Sequence, residues 1–203
     1  MNDRVNTSRV LSAALVIACI GQPGCDEMRA HAAVAPPPSA RSPTLEHAPP
    51  PSPAAPLDEA RAVDVLGTLN GGEISLARYA LTRATAPDVR DLAQMMIDQH
   101  TEVQANVADW AATASVAAQS NEVSTTVDAS VATVRAQLEA TPAQSFDAAY
   151  AQSQVSLHRD ALTILDERLI PGAHDASFRA LLTTIRAGIA THLAHATAIA
   201  AAH

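Results

Sequence analysis

The sequence predicts an all-α domain: an antiparallel bundle of four long helices, with an extra short helix between the second and third. Three observations carry this reading. Apolar residues recur at helical spacing through four stretches of roughly 25 to 30 residues. Capping residues, prolines and glycines fall at the boundaries of those stretches. No run alternates apolar and polar residues as a half-buried strand would.

The domain is expected to occupy 58–203 of the 203 residues. Ten of the thirteen prolines precede Leu57, and the other three fall where helices should start or stop. A basic start with Arg4 and Arg9 leads into the apolar run Val10 to Ala18. That run is too short to span a bilayer and suits a signal peptide. Val16-Ile17-Ala18-Cys19 resembles a bacterial lipobox, so residues 1–25 read as a lipoprotein-type leader with Cys19 as the acylated residue. Cys25 is the alternative, although Gln22 stands where an aliphatic residue is expected. Residues 26–57, with Pro36-Pro37-Pro38 and Pro49-Pro50-Pro51, read as a semi-rigid disordered tether. The expectation is an exported protein, lipid-anchored at the outer membrane and facing the periplasm, whose membrane contact is the anchor.

The first helix should run from Asp58, its N-cap, to about Ala84. Val63, Leu66, Asn70, Ile74, Ala77 and Leu81 share one face, with Glu73 on its flank. Asn70-Gly71-Gly72 should either kink this helix or admit a close neighbour. Thr85-Ala86-Pro87-Asp88 reads as a capping box for the second helix, which should extend to about Ala114. Its stripe is Val89, Leu92, Ala93, Met96, Val103, Val107 and Trp110, with His100 in the middle. Ser115 to Asn121 should turn the chain into a short helix from Glu122 to Ala140, thinly striped by Val127, Val131, Val134 and Leu138. Thr141-Pro142 should open the third long helix, which Pro171-Gly172 should stop at Ile170. It carries Phe146, Tyr150, Leu157, Ala161, Ile164 and Leu165, edged by Asp147, Gln154 and His158. The last helix, from about Asp175 to Ala202, places Phe178, Leu181, Leu182, Ile185, Ile189, His192, Ala196 and Ile199 on one stripe.

All of the formal charge of −8 falls on the predicted domain, which holds nine Arg against seventeen acids and no Lys. Such a body repels phosphate backbones, and 2% aromatic residues give bases nothing to stack on, so nucleic acid is excluded as an expected partner. The domain has no Cys, no phosphate loop and no Ser in a nucleophile elbow. Glu-x-x-His pairs are missing too, since Ile97 and Ile189 stand three before His100 and His192. No catalytic residue is assigned.

The polar residues that do fall on or beside apolar stripes come one from each main helix: Glu73, His100, His158 and His192. Bundles build metal sites in this way, and imidazole suits copper, zinc or iron. Asp147, Tyr150 and Met96 are secondary candidates. Against this stands a simpler interpretation, in which each histidine is a neutral, hydrogen-bonded core residue, Met96 is plain core and Glu73 pairs with Arg78 or Arg135. His174, His195 and His203 are expected in solvent.

Gly72-Glu73-Ile74, Ala93 with Met96, Asp98-Gln99-His100, Phe146-Asp147-Ala148-Ala149-Tyr150 with His158, and His192-Leu193 together resemble the bacterial family called domain of unknown function 4142. The resemblance covers nearly all of Asp58 to Ala202. It implies a ferritin-like bundle, common in exported or lipid-anchored envelope proteins, without a settled activity. Glu73, His100, Asp147, Tyr150, His158 and His192 match the family's recurrent polar positions, whereas Gln99 stands where the family usually has an acid. Two functions are therefore expected to compete: a metal-binding envelope protein, and a non-enzymatic envelope scaffold whose interior polar network holds no cofactor.

Overall fold

The computed structural model describes residues 55–203. The leader, Cys19, Cys25 and the tether up to residue 54 lie outside the described residues. Five helices make up the described part, with no strand among the described residues: α1 (Glu59–Arg83), α2 (Pro87–Ala114), α3 (Glu122–Ala140), α4 (Phe146–Ile164) and α5 (Ala176–Ala200).

Side chains that satisfy the free N–H groups of the first turn set most of the helix starts. Asp58 accepts from the Arg61 N–H at 3.0 Å, and Asp175 accepts from that of Phe178 at 2.9 Å. Asn121 and Ser124 form a reciprocal capping box for α3. The start of α2 differs from expectation. Thr85 is not its cap, and Ala86 at the N-cap offers no side-chain bond. Instead Asp147, projecting from the first turn of α4, accepts from Thr85 N, Ala86 N and Thr85 Oγ1 at 3.1, 2.9 and 2.7 Å. Burial pushes its pKa up, but these hydrogen bonds outweigh burial and hold it below the usual value.

The third long stretch is also more divided than its sequence suggests. A 3-10 turn at Ala143–Ser145 precedes α4, and a π-helical turn at Leu165–Leu169 follows it. A last helical turn, Ile170–Gly172, passes through Pro171, so the proline does not stop the chain at Ile170. Proline has no N–H, and its ring crowds the carbonyl four residues earlier. The wider π register, in which Ile170 N–H reaches Leu165 O, relaxes the turn just ahead of it. Gly172 then meets the backbone of Leu57 so closely that a Cβ there would lie 1.9 Å from the Leu57 carbonyl oxygen. Gly72 has a similar use. Its missing Cβ would fall 2.5 Å from Val131 Cγ2, so the glycine lets α3 close on α1, which runs as one helix through this point.

Paired contacts fix the helix directions. Asn70 opposite His100, with Leu81 meeting Arg90 nearer the connection, makes α1 and α2 antiparallel. Trp110 with Ser177 at one end, and Asp88 with His203 at the other, do the same for α2 and α5. His158 with His192 and Asp166 with Arg186 run α4 against α5. Because Asn121 meets Arg61 and Val131 meets Gly72, α3 runs parallel to α1.

The apolar interior forms two clusters along the bundle. One gathers Leu66, Val107, Leu165, Phe178, Leu182 and Ile185, and the other gathers Leu76, Leu92, Met96, Leu138, Phe146 and Tyr150. Between them along the helices fall Asn70, Glu73, His100, Gln154, His158 and His192, nearly all the buried polar side chains among the described residues. No described helix is long and apolar enough to cross a membrane.

Candidate metal centre

Each of three helices brings one histidine into this polar layer. His100 on α2, His158 on α4 and His192 on α5 retain 6%, 1% and 3% of their exposure. One ring nitrogen from each lies within 4.8 Å of the other two. The ring centroids are 5.1 to 5.7 Å apart, and the rings are tilted or perpendicular to one another instead of stacked.

What each ring does with its other nitrogen determines what points inward. His100 Nδ1 lies 2.8 Å from Asn70 Oδ1. The Asn70 amide is already oriented, since its NH2 donates to the Leu66 carbonyl at 2.8 Å. His100 Nδ1–H is therefore the donor, and Nε2 keeps a lone pair that is buried and has no hydrogen-bond partner. His158 Nδ1–H donates to the Gln154 carbonyl at 2.9 Å, which leaves its Nε2 as a lone pair. His192 Nε2 lies 2.6 Å from Gln99 Oε1; donation there leaves Nδ1 unprotonated and facing His158 Nε2 at 3.3 Å. The lone pairs of His158 Nε2 and His192 Nδ1 thus face each other, His100 keeps an unpartnered Nε2 in the same cluster, and the other nitrogen of every ring is held by an oxygen. Metal-binding histidines are oriented in this way. A tetrahedral ion bound at about 2.0–2.1 Å holds two imidazole nitrogens roughly 3.3 Å apart, which is the His158–His192 separation.

A cofactor-free arrangement requires the opposite tautomer of His192. Nδ1–H would donate to His158, and the Gln99 amide would turn to donate to Nε2. Amide orientation is assigned from such networks, and this one still leaves His100 Nε2 orphaned.

Burial keeps all three rings neutral. It lowers the pKa of His100 to about 3, with His158 and His192 adding to the effect. It lowers that of His158 to about 4 against the opposing Gln154 carbonyl, and that of His192 to about 4 with help from His158 and His195. Neutral imidazole is the form that ligates a metal.

The remaining predicted site residues divide. Glu73 is buried and pairs with neither Arg78 nor Arg135: Arg135 bonds Glu139 and lies over the Tyr79 ring. The Glu73 carboxylate approaches His158 at 3.8 Å from the Nδ1 side, away from the converging nitrogens, so it stands behind a ligand instead of completing the set. Burial raises its pKa to about 7. Tyr150 is fully buried in the second apolar cluster, and its hydroxyl has no partner. Met96 packs in that cluster as core. Asp147 is the cap of α2 described above. His174 and His195 are exposed, as is His203, which reaches Asp88.

The structure adds Asn70, Gln99 and Gln154 as partners of the histidines. Their signal in the sequence is faint: Asn70 is an amide on an apolar stripe, Gln154 lies in the polar strip edging one, and Gln99 is off the stripe and marked only by standing where the family usually has an acid.

A cavity of about 290 Å³ opens onto the cluster between α2 and α5. The inner wall holds Asn70, Glu73 and the three histidines, the sides hold Leu66, Val103, Ile185 and Ile189, and Gln99, Glu102 and Gly188 stand toward the mouth.

Comparison with known proteins gives one finding. A family model described as a domain of unknown function, DUF4142, matches residues 43–199. No curated protein and no solved structure matches the chain.

Proposed function

The chain belongs to the DUF4142 family, a domain of unknown function, and we propose that it is a lipid-tethered envelope protein holding one transition-metal ion between His100, His158 and His192. The observation that carries the metal reading is the convergence of three neutral ring nitrogens whose outer partners are already bound to Asn70, Gln154 and Gln99. The donor set has no thiolate and no carboxylate. Imidazoles alone suit copper, zinc or iron. The outer partner that orients His158 is the Gln154 carbonyl, with Glu73 behind the ring at 3.8 Å.

The domain is proposed as a ferritin-like four-helix arrangement of α1, α2, α4 and α5, with α3 as the return segment. Antiparallel pairing within α1–α2 and α4–α5 supports it, as does α3 lying parallel to α1. The envelope location rests on the leader, with Val16-Ile17-Ala18 ahead of Cys19. Fatty-acid labelling that is lost on Cys19→Ala is the expected outcome, and labelling that persists would move the anchor to Cys25.

A second reading, a polar core without an ion, draws on the His158–His192 contact, which also has hydrogen-bond length. Elemental analysis separates the two. Protein purified without a His-tag, exposed in turn to copper, zinc, iron and manganese salts and freed of excess, should retain about one equivalent of at least one of them. Its melting temperature should rise, because an ion that binds only the folded form stabilises it. Substoichiometric metal that survives His100→Ala would overturn the metal reading.

A further inference from the structure

Resting on that metal reading, we infer that the centre keeps one coordination position open to the cavity between α2 and α5, and that this position takes a small neutral lone-pair donor with an apolar body, such as an azole, an alcohol or a thioether. Only three protein donors converge. No fourth His, Cys, Asp or Glu atom joins them among the described residues. Glu73 is on the far side of His158, whose Nδ1 is committed to Gln154. Met96 belongs to the neighbouring apolar cluster and does not line the cavity. Structural zinc sites close all four positions with protein ligands, whereas three-ligand sites leave the fourth for water or substrate.

The unfilled direction leads into the cavity, whose three histidines lie in its wall. At about 290 Å³ this space is near the lower bound of small-molecule sites, so the ligand is small. Leu66, Val103, Ile185 and Ile189 make the passage apolar, which penalises a charged guest unless it is paired. The only ionisable side chain toward the mouth is the exposed Glu102, and the chain carries a net charge of −8, so anions are opposed twice. A neutral donor meets neither penalty.

Cobalt(II) is a suitable probe because its visible bands report the ligand field. The full chain is loaded with cobalt and titrated with 1-methylimidazole and, separately, with azide. The expected result is a saturable band shift with 1-methylimidazole and binding of azide weaker by about tenfold or more. Gly188 lines the cavity, and a Cβ there would meet nothing within 4 Å. Gly188→Leu should therefore keep the cobalt spectrum of the loaded protein while weakening 1-methylimidazole by about tenfold or more. Thr184→Leu, on the same wall, gives a second variant if Gly188→Leu does not fold. One equivalent of cobalt with bands that neither ligand moves would overturn the open position and leave the metal reading standing. Failure to take up cobalt, together with copper, zinc and iron, would remove the metal reading itself. Azide binding as tightly as 1-methylimidazole would overturn the neutral class, and full ligand affinity in both variants would overturn the proposed route.

Discussion

The layer around Phe146 and the layer around His158 are built from the same helices, yet they solve different problems. In the Phe146 layer, Leu76, Ala77, Leu92, Met96 and Phe146 exclude water by packing, with all five at 3% exposure or less, and the Tyr150 hydroxyl is the one unpartnered polar atom among its described side chains. Part of the second layer is equally dry, with Gln154 and His158 at 0% and 1%, but it leaves polar atoms without partners: His100 Nε2, Glu73 Oε2 and both side-chain ends of Gln154. Leaving a buried donor or acceptor unsatisfied costs about 1–3 kcal/mol. A layer that carries several is not arranged for stability alone, and the apolar cluster next to it supplies the rigidity that holds the rings in place.

The largest expected effect separates the two layers by what breaks. Phe146→Ala should cost about 3–5 kcal/mol in chemical denaturation, while metal affinity measured on the folded variant stays close to the original. The double change His158→Leu with His192→Leu, which replaces both ends of their 3.3 Å contact, should do the reverse. Stability of the metal-free protein should move by no more than about 1 kcal/mol, because apolar groups replace both buried polar partners, and calorimetry should find no metal binding. A large loss of stability from the double leucine variant would mean that the histidines are there to hold the fold.

A second contrast comes from acid. The folded-state pKa values of the three histidines lie below the ordinary 6.5, so between about pH 4.5 and 6 the unfolded chain binds three protons that the native rings do not. Glu73, raised to about 7, works the other way by holding one proton in the native state that the unfolded chain has released. The difference is about two protons, so stability of the metal-free protein should rise by about 2.7 kcal/mol per pH unit across this window. The rise should slacken as the histidines of the unfolded chain lose their protons around pH 6.5, and with Glu73 opposing it the stability should level off above about pH 7. Denaturation at pH 5 and pH 6 checks the slope. A flat profile would mean that the rings titrate like exposed ones.

The smallest effect sharpens the comparison within the polar layer. Asn70→Leu removes the oxygen that orients His100 while leaving all three ligands in place. Loss of such an outer partner should weaken metal binding by about 10- to 100-fold, measured by competition with a chromophoric chelator. Unchanged affinity would mean that helix packing alone orients the ring.

Much of the architecture could be read from the residues. The apolar stripes, the cap at Asp58, the start of the last helix near Asp175 and the span Glu122–Ala140 follow from local spacing, which is where sequence patterns are informative. The three histidines were visible for the same reason, as polar interruptions at core positions. Asp147 shows where this stops: its partners Thr85 and Ala86 lie about sixty residues away in the chain, and a capping box at Thr85 satisfied the local pattern equally well. Glu73 was placed near the site, but periodicity assigns a side to a residue and not a rotamer, so which face of His158 its carboxylate meets could not be read. Pro171 misled because a proline normally ends a helix, and the π turn that accommodates it has no sequence signature of its own.

The proposed centre depends on three unprotonated nitrogens, His100 Nε2, His158 Nε2 and His192 Nδ1, aimed at one point. Crystals of the untagged protein soaked with zinc, with anomalous data collected on both sides of the zinc edge, test this most directly. One strong anomalous peak is expected at about 2.0–2.1 Å from all three atoms. No peak there, with His192 Nδ1 still at hydrogen-bond distance from His158 Nε2 and water against His100 Nε2, would contradict it.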